Sequence, residues 1–393
     1  MEYKRTVNAC YMSYVSHAVF NNLPALLFVL LSRSYGLDEE RLGRMVLINF
    51  ATHLAVDFLA LKLADKVGYR RCLVAGHFMG ALGLALFGLL PVLLPAGLVY
   101  AGLCLSVAVF SFGGGMVQVL VSPIVNQISG HVKAGSMTLL HSFYPWGTMI
   151  TVIFTTVALQ FTPDHLWFVL PLAWTAVPLV TMHGFATAPM AEPRMSAQPS
   201  QPLKELARGR GLWLAAALMS FAGATECSMA QWSSYFIEAG LNLPKIAGDL
   251  AGPCVSALIM ALIRMTYGKW EHKFPLERLL LCSALGSAAS FAGMALIPSP
   301  VFALAACTFS GLTIAMMWPG GIHRGAKNFP LGGTGLFAML ALGGDFGCTV
   351  GPWLMGMVSK GTGNLHYGIL TGALFPLGYL MVLLLDRRYR KDA

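Results

Sequence analysis

Few residues in this sequence combine a reactive side chain with surroundings that make its chemistry unusual. Asp57, Glu226 and Asp345 each stand inside a long apolar run, and Arg264 lies near the end of another. An ionisable group in hydrocarbon is expensive to hold, so each is a functional-site candidate. His17, His53 and His141 join them. His53 and Asp57 are four residues apart, which in a helix puts both on one face, where imidazole and carboxylate can share or pass a proton. A structural hydrogen-bonded pair is the alternative. Glu226 has Gly223, Ala230 and Ser233 on its stripe and no fixed cation, so it is expected to carry a proton or to bond a neighbouring helix. Asp345, beside Ala338, Ala341 and Thr349, has the same two readings.

Other chemistries have no carrier. There is no Walker loop, HExxH or GxSxG, which argues against an enzyme or an ATP-driven pump, and no cofactor is expected. The eight cysteines are scattered singly without CxxC or a Cys/His cluster, and read as small buried apolar residues rather than a metal site or disulfide framework.

The elements that must position these groups follow from composition. Of 393 residues 56% are apolar and 11% charged, with mean hydropathy +0.66. One water-soluble core cannot hide that much apolar surface. Twelve apolar runs, at about 20 residues per crossing, fall near 8–32, 42–64, 72–94, 97–129, 135–160, 165–188, 211–237, 246–270, 276–297, 300–322, 332–358 and 364–386. Open sheet cannot survive in lipid, and continuous runs do not alternate as barrel strands do, so all twelve are expected to be helices. The result is an all-α polytopic membrane protein of two pseudo-symmetric six-helix bundles, 1–188 and 211–393. A cytoplasmic linker, 189–210, carries Pro189, Pro193, Pro199 and Pro202. With both termini inside, 21 of the 26 Lys and Arg residues fall on the inner side, as the positive-inside rule requires. The net charge of +9 therefore addresses a lipid bilayer, not a nucleic acid.

Six plus six helices about an inner linker resemble the major facilitator superfamily. Leu61-Lys62-Leu63-Ala64-Asp65-Lys66-Val67-Gly68-Tyr69-Arg70-Arg71 is similar to the family's G-x-L-A-D-R-x-G-R-R signature, with Leu61 in place of its first glycine. Gly68 allows a tight turn, Asp65 can face a helix N-terminus, and the arginines can anchor at headgroups. The resemblance implies that Asp65, Gly68, Arg70 and Arg71 latch the two halves at a cytoplasmic gate, with Arg264 in the degenerate second copy, Arg264-Met265-Thr266-Tyr267-Gly268-Lys269-Trp270. Span eleven, Gly343-Gly344-Asp345-Phe346-Gly347-Cys348-Thr349-Val350-Gly351-Pro352, has glycines for close helix approach and a proline for a bend. Leu140-His141-Ser142-Phe143-Tyr144 with Gly147, and Gly223-Ala224-Thr225-Glu226, resemble the fucose permease-like sugar:proton symporter branch.

In that fold spans one, four, seven and ten line the cavity, flanked by two, five, eight and eleven. The resemblance thus nominates Asn21, Asn22, Gln118, Asn126, His141, Trp146, Gln231, Trp232, Tyr235 and Trp318 for solute contact. Amides hydrogen-bond hydroxyls, and aromatic faces stack on a sugar ring; interfacial belt packing is the alternative for the tryptophans. No lysine or arginine lies deep in spans one, two, four or five, so a phosphate clamp is missing. The expected function is secondary active transport of a small neutral polar solute by alternating access. Proton-coupled symport would run through Glu226, Asp345, Asp57 or His53. Sodium is the alternative ion, and a metabolite or drug exporter of the same superfamily the alternative function. The expected setting is a multi-pass monomer in a bacterial inner membrane.

Overall fold

In the computed structural model the described residues are 3–128, 134–190, 203–270, 273–297, 299–329 and 333–392. Among them the chain is helical, with no strand. The main helices are α1 (Lys4–Leu26), α2 (Glu39–Val67), α3 (Tyr69–Leu93), α4 (Val99–Ile128), α5 (Ala134–Phe161) and α6 (Ala176–Thr187). After residue 203 come α7 (Arg210–Tyr235), α8 (Val255–Trp270), α9 (Leu276–Leu296), α10 (Pro300–Ile314), α11 (Gly333–Thr362) and α12 (Leu374–Asp392). Most of the expected linker, 191–202, lies outside the described residues. Nine helical stretches among the described residues are long and apolar enough to cross a membrane. They become ten if α1 and Phe28–Tyr35, bent by 44° at their junction, form one span.

Local chemistry explains where the helices begin and break. Asp38 caps α2 by accepting from the Arg41 amide at 2.9 Å, and Glu39 and Glu40 face the positive end of its dipole. Ser299 caps α10 with Pro300 in the first turn. Gly68 alone separates α2 from α3, at φ +94° and ψ 144°. A side chain there would be strained, so the turn expected from the sequence requires its glycine.

Several helix pairs among the described residues are packed backbone to backbone. On α7 and α11, a Cβ added to Gly223, Gly343 or Gly347 would collide with the carbonyl of Gly344, Ala216 or Ser220. On α3 and α4, Gly83 sits against the Phe110 amide and Gly113 against the Gly76 carbonyl. In lipid, where apolar surface gains little by leaving its solvent, this closeness and its dispersion contacts supply helix association. The close approach expected of the span-eleven glycines is therefore present.

Gly68→Ala should destabilise the protein by about 1–3 kcal/mol, the usual cost of a forced backbone outlier. A lowered melting temperature in detergent, with Gly97→Ala in open space as the control, checks this.

Candidate functional site

The helices before residue 190 and those after 203 meet tightly at the end of the bundle that carries Gly36. Lys360 pairs with Asp38 at 3.1 Å and Glu40 at 2.7 Å, Arg33 lies 3.8 Å from Glu238, and the Tyr235 hydroxyl donates to Glu39 at 3.1 Å. The Trp232 indole donates to the Pro352 carbonyl at 2.8 Å and its ring is buried beside Phe28. Trp232 and Tyr235, nominated for solute contact, thus form part of this seal.

Beneath the seal lies a polar layer on α1, α2, α5 and α7. Asn21 accepts from Asn49 at 3.0 Å, its amide nitrogen is 3.2 Å from His17 and 3.4 Å from the Tyr144 hydroxyl, and its backbone carbonyl accepts from Gln231 at 2.8 Å. Asn22 donates to the Ala18 carbonyl and to Thr148. These amides are buried and bonded to one another or to neighbouring hydroxyls and carbonyls, which rigidifies a layer between helices. Asn49, which the sequence reading missed, is the link from α2.

The His53–Asp57 pair does not form. His53 stacks on His17 with centroids 5.3 Å apart, and neither its ring nitrogens nor the Asp57 carboxylate oxygens find a hydrogen-bond donor or acceptor in their deprotonated forms. Spacing of four aligned both on one face, but α11 stands opposite Asp57. There the Asp57 carboxyl meets that of Asp345 within hydrogen-bond reach. Gln118 of α4 donates to Asp345 Oδ2 at 2.7 Å. Two buried acids thus face each other across α2 and α11, with an amide but no cation among the described residues.

Glu226 has a fixed cation, contrary to the expectation. Arg264 Nη2 donates to both carboxylate oxygens at 2.9 and 2.8 Å. Arg264, expected at the inner gate, sits within the bundle, where a burial cost is offset by pairing. Its Nε donates at 2.9 Å to the Ala315 carbonyl. That carbonyl is free because the residue four positions on, Pro319, has no N–H to give it, and the helix breaks at residues 315–316 before resuming as Met317–Asn328. His141 of α5 lies within electrostatic reach of the same guanidinium. Trp146 reaches Met265 at 3.4 Å, and Trp318 packs over Gly344.

At the opposite end, Arg70 donates to the carbonyls of Ala186 and Ala188 at 2.9 and 2.8 Å, capping α6. This contact joins α3 to α6, within the first set of helices. Arg71 is exposed. The side chains of Asp65 and Asn126 lie outside the described residues. Two clusters of buried charge lie outside the nominated residues. Asp249 pairs with Lys245 at 2.9 Å and accepts from Ser234 and, at 2.7 Å, from Thr156 of α5. Arg324 pairs with Asp386 and Glu277, both at 2.7 Å. The four-residue spacing of Lys245 and Asp249 was a signal for the first.

A model of the Major Facilitator Superfamily matches residues 10–352. Among solved structures, the xylose transporter XylE from E. coli, in a partially occluded inward-open conformation, is similar at TM-score 0.78 and 12% identity, over 99% of this chain and 98% of that one. The nucleoside transporter NupG aligns at TM-score 0.75 and 13% identity over 98% of each chain. A variant of the E. coli fucose:proton symporter FucP aligns at 0.65 and 18%, over 98% and 99%. At such identities the likeness is one of fold. Among curated protein sequences there is no significant match.

The seal at the Gly36 end carries its own pH dependence. Lys360 first, and Arg44 after it, hold the Glu40 carboxyl below its ordinary range. A depressed carboxylate favours the paired state above its unpaired pKa and loses that contribution as pH falls through the depressed value. Both cations are exposed and Glu40 is only half-buried, so the effect is small and screened by salt. Spin labels placed through unnatural side chains at Ser34 and Thr362 should show a broader distance distribution below the ordinary carboxylate range, and in Lys360→Met at neutral pH.

Proposed function

Since the chain belongs to the major facilitator superfamily, and so is a transporter and not an enzyme, we propose that it is a proton-coupled symporter of a small neutral polar solute, sugar-like in its hydroxyls. In this reading twelve crossings form two six-helix halves, 1–188 and 211–393, about a cytoplasmic linker, with both termini cytoplasmic, as a monomer in a bacterial inner membrane. The Gly36 end is then extracellular, and the sealed state faces inward. Two neighbours of like fold are named as carriers of xylose and of fucose with protons, which supports the solute class and the ion.

The observation that carries the reading is the Asp57–Asp345 pair. Two carboxylates facing each other away from water repel; with one proton between them, one donates to the other and both are satisfied. Asp57 belongs to the first half and Asp345 to the second, while Gln118, also from the first, holds Asp345 in place. A shared proton therefore joins the halves, and its loss to the cytoplasm drives them apart. Rocking open at the Gly36 end must separate α2 from α11, exposing both acids for reloading from outside. Proton occupancy thus biases which side is open, and a solute bound between the halves travels with that change.

Proteoliposomes under an inward proton gradient, supplied with radiolabelled L-fucose, D-xylose or uridine, test this. Wild type should accumulate one of them. Asp57→Asn and Asp345→Asn should lose gradient-driven accumulation by at least about tenfold, within the range of a coupling free energy, while retaining solute exchange without a gradient. Full accumulation in both variants, stimulation by sodium alone, or dye extrusion in place of uptake would overturn the reading.

A further inference from the structure

Resting on that reading, we propose that Glu226 and Arg264 form the solute-binding dyad, and that its balanced charge selects neutral hydroxyl-bearing solutes over anionic and cationic analogues. The pair stands on α7 and α8, and neither partner is sealed: the side chains are 10% and 15% exposed for Arg264 and Glu226. Arg264 spends Nη2 on Glu226 and Nε on Ala315, while its Nη1 donates to no described residue. That nitrogen is an available donor beside an available acceptor, since each carboxylate oxygen accepts more than one hydrogen bond.

Position and rigidity favour binding over packing. The guanidinium is gripped from two sides, by a bidentate carboxylate and by a carbonyl that Pro319 leaves without a helical partner. Such a group is preorganised, so ordering it on solute binding costs little. His141, from α5 in the other half, lies within reach of the same guanidinium and is exposed. A solute bridging the dyad and His141 would therefore touch both halves, as a transported solute must.

The selectivity follows from charge. A vicinal diol can accept from Arg264 Nη1 with one hydroxyl and donate to Glu226 with the next, leaving the ion pair intact. An anion gains from Arg264 only by meeting Glu226 as well, and a cation has the converse conflict. The tests are thermal-stabilisation titrations of the purified full chain with L-fucose and D-xylose, against D-glucuronate and D-glucosamine. Wild type should favour the best neutral sugar by about tenfold, the order of one charge-assisted hydrogen bond. Glu226→Gln should shift preference about tenfold towards glucuronate, and Arg264→Gln about tenfold towards glucosamine. The exchanged pair Glu226→Arg with Arg264→Glu keeps both charges, guards against a folding defect, and should keep the neutral preference. If wild type binds and accumulates a neutral sugar but the single variants keep its affinity and preference, the dyad assignment fails and the symport reading stands. If a charged sugar stabilises wild type best, the dyad assignment fails as well. A wild type that responds to none of the neutral sugars overturns the solute class itself, and the dyad with it.

Discussion

The cost of holding ionised groups away from water constrains everything else in this bundle. Most of its buried charges are resolved by pairing: Glu226 with Arg264, Asp249 with Lys245, and Arg324 with Asp386. Asp57 and Asp345 are the exception, two acids in contact with no described cation. A single proton shared between the two carboxyls satisfies both, and the proposed coupling rests on that proton being exchangeable. It needs no cavity of its own.

In the proposed mechanism, the packing of α7 against α11 is what would turn that local problem into motion. Their glycines bring the two backbones into contact at several levels, so neither helix can slide without the other. Asp345 and Glu226 therefore move as parts of one body. Asp57 rides on α2, and Gln118 on α4, on the other side of the interface. Separating these bodies at the Gly36 end has to part Asp57 from Asp345, while the Gly68 turn and the Arg70 cap of α6 stay within one body.

The sequence shows the acids at 57, 226 and 345, the Gly68 turn and the helical class, because hydrophobicity and glycine act locally. It does not show partners. Spacing put His53 and Asp57 on one face, yet the neighbouring helix decided which of them met a carboxyl. In the sequence Arg264 reads as part of a basic loop; its side chain is placed by a carbonyl freed by Pro319, on another helix. Two π-helical turns, Phe236–Gly240 and Leu250–Cys254, add to the difficulty. Each shifts the register by a fraction of a turn, so faces drawn at 3.6 residues per turn rotate away from the real ones. Asp249 sits directly before one of them and near the start of its apolar run, where it passes for a loop residue.

The two unusual sites are also close in construction. Gly223, one turn before Glu226, packs against Gly344, which directly precedes Asp345. In the proposed mechanism, a solute that tightens the dyad on α7 and α8 would act on the helix contact that places Asp345, and a proton that draws Asp345 towards Asp57 would act back on the same contact. Coupling of this kind is reciprocal by thermodynamic necessity. It also needs no long path through the protein, only that one interface have two arrangements which solute and proton bias in the same direction. The glycines that make α7 and α11 inseparable are thus as much a part of the proposed coupling as the acids themselves.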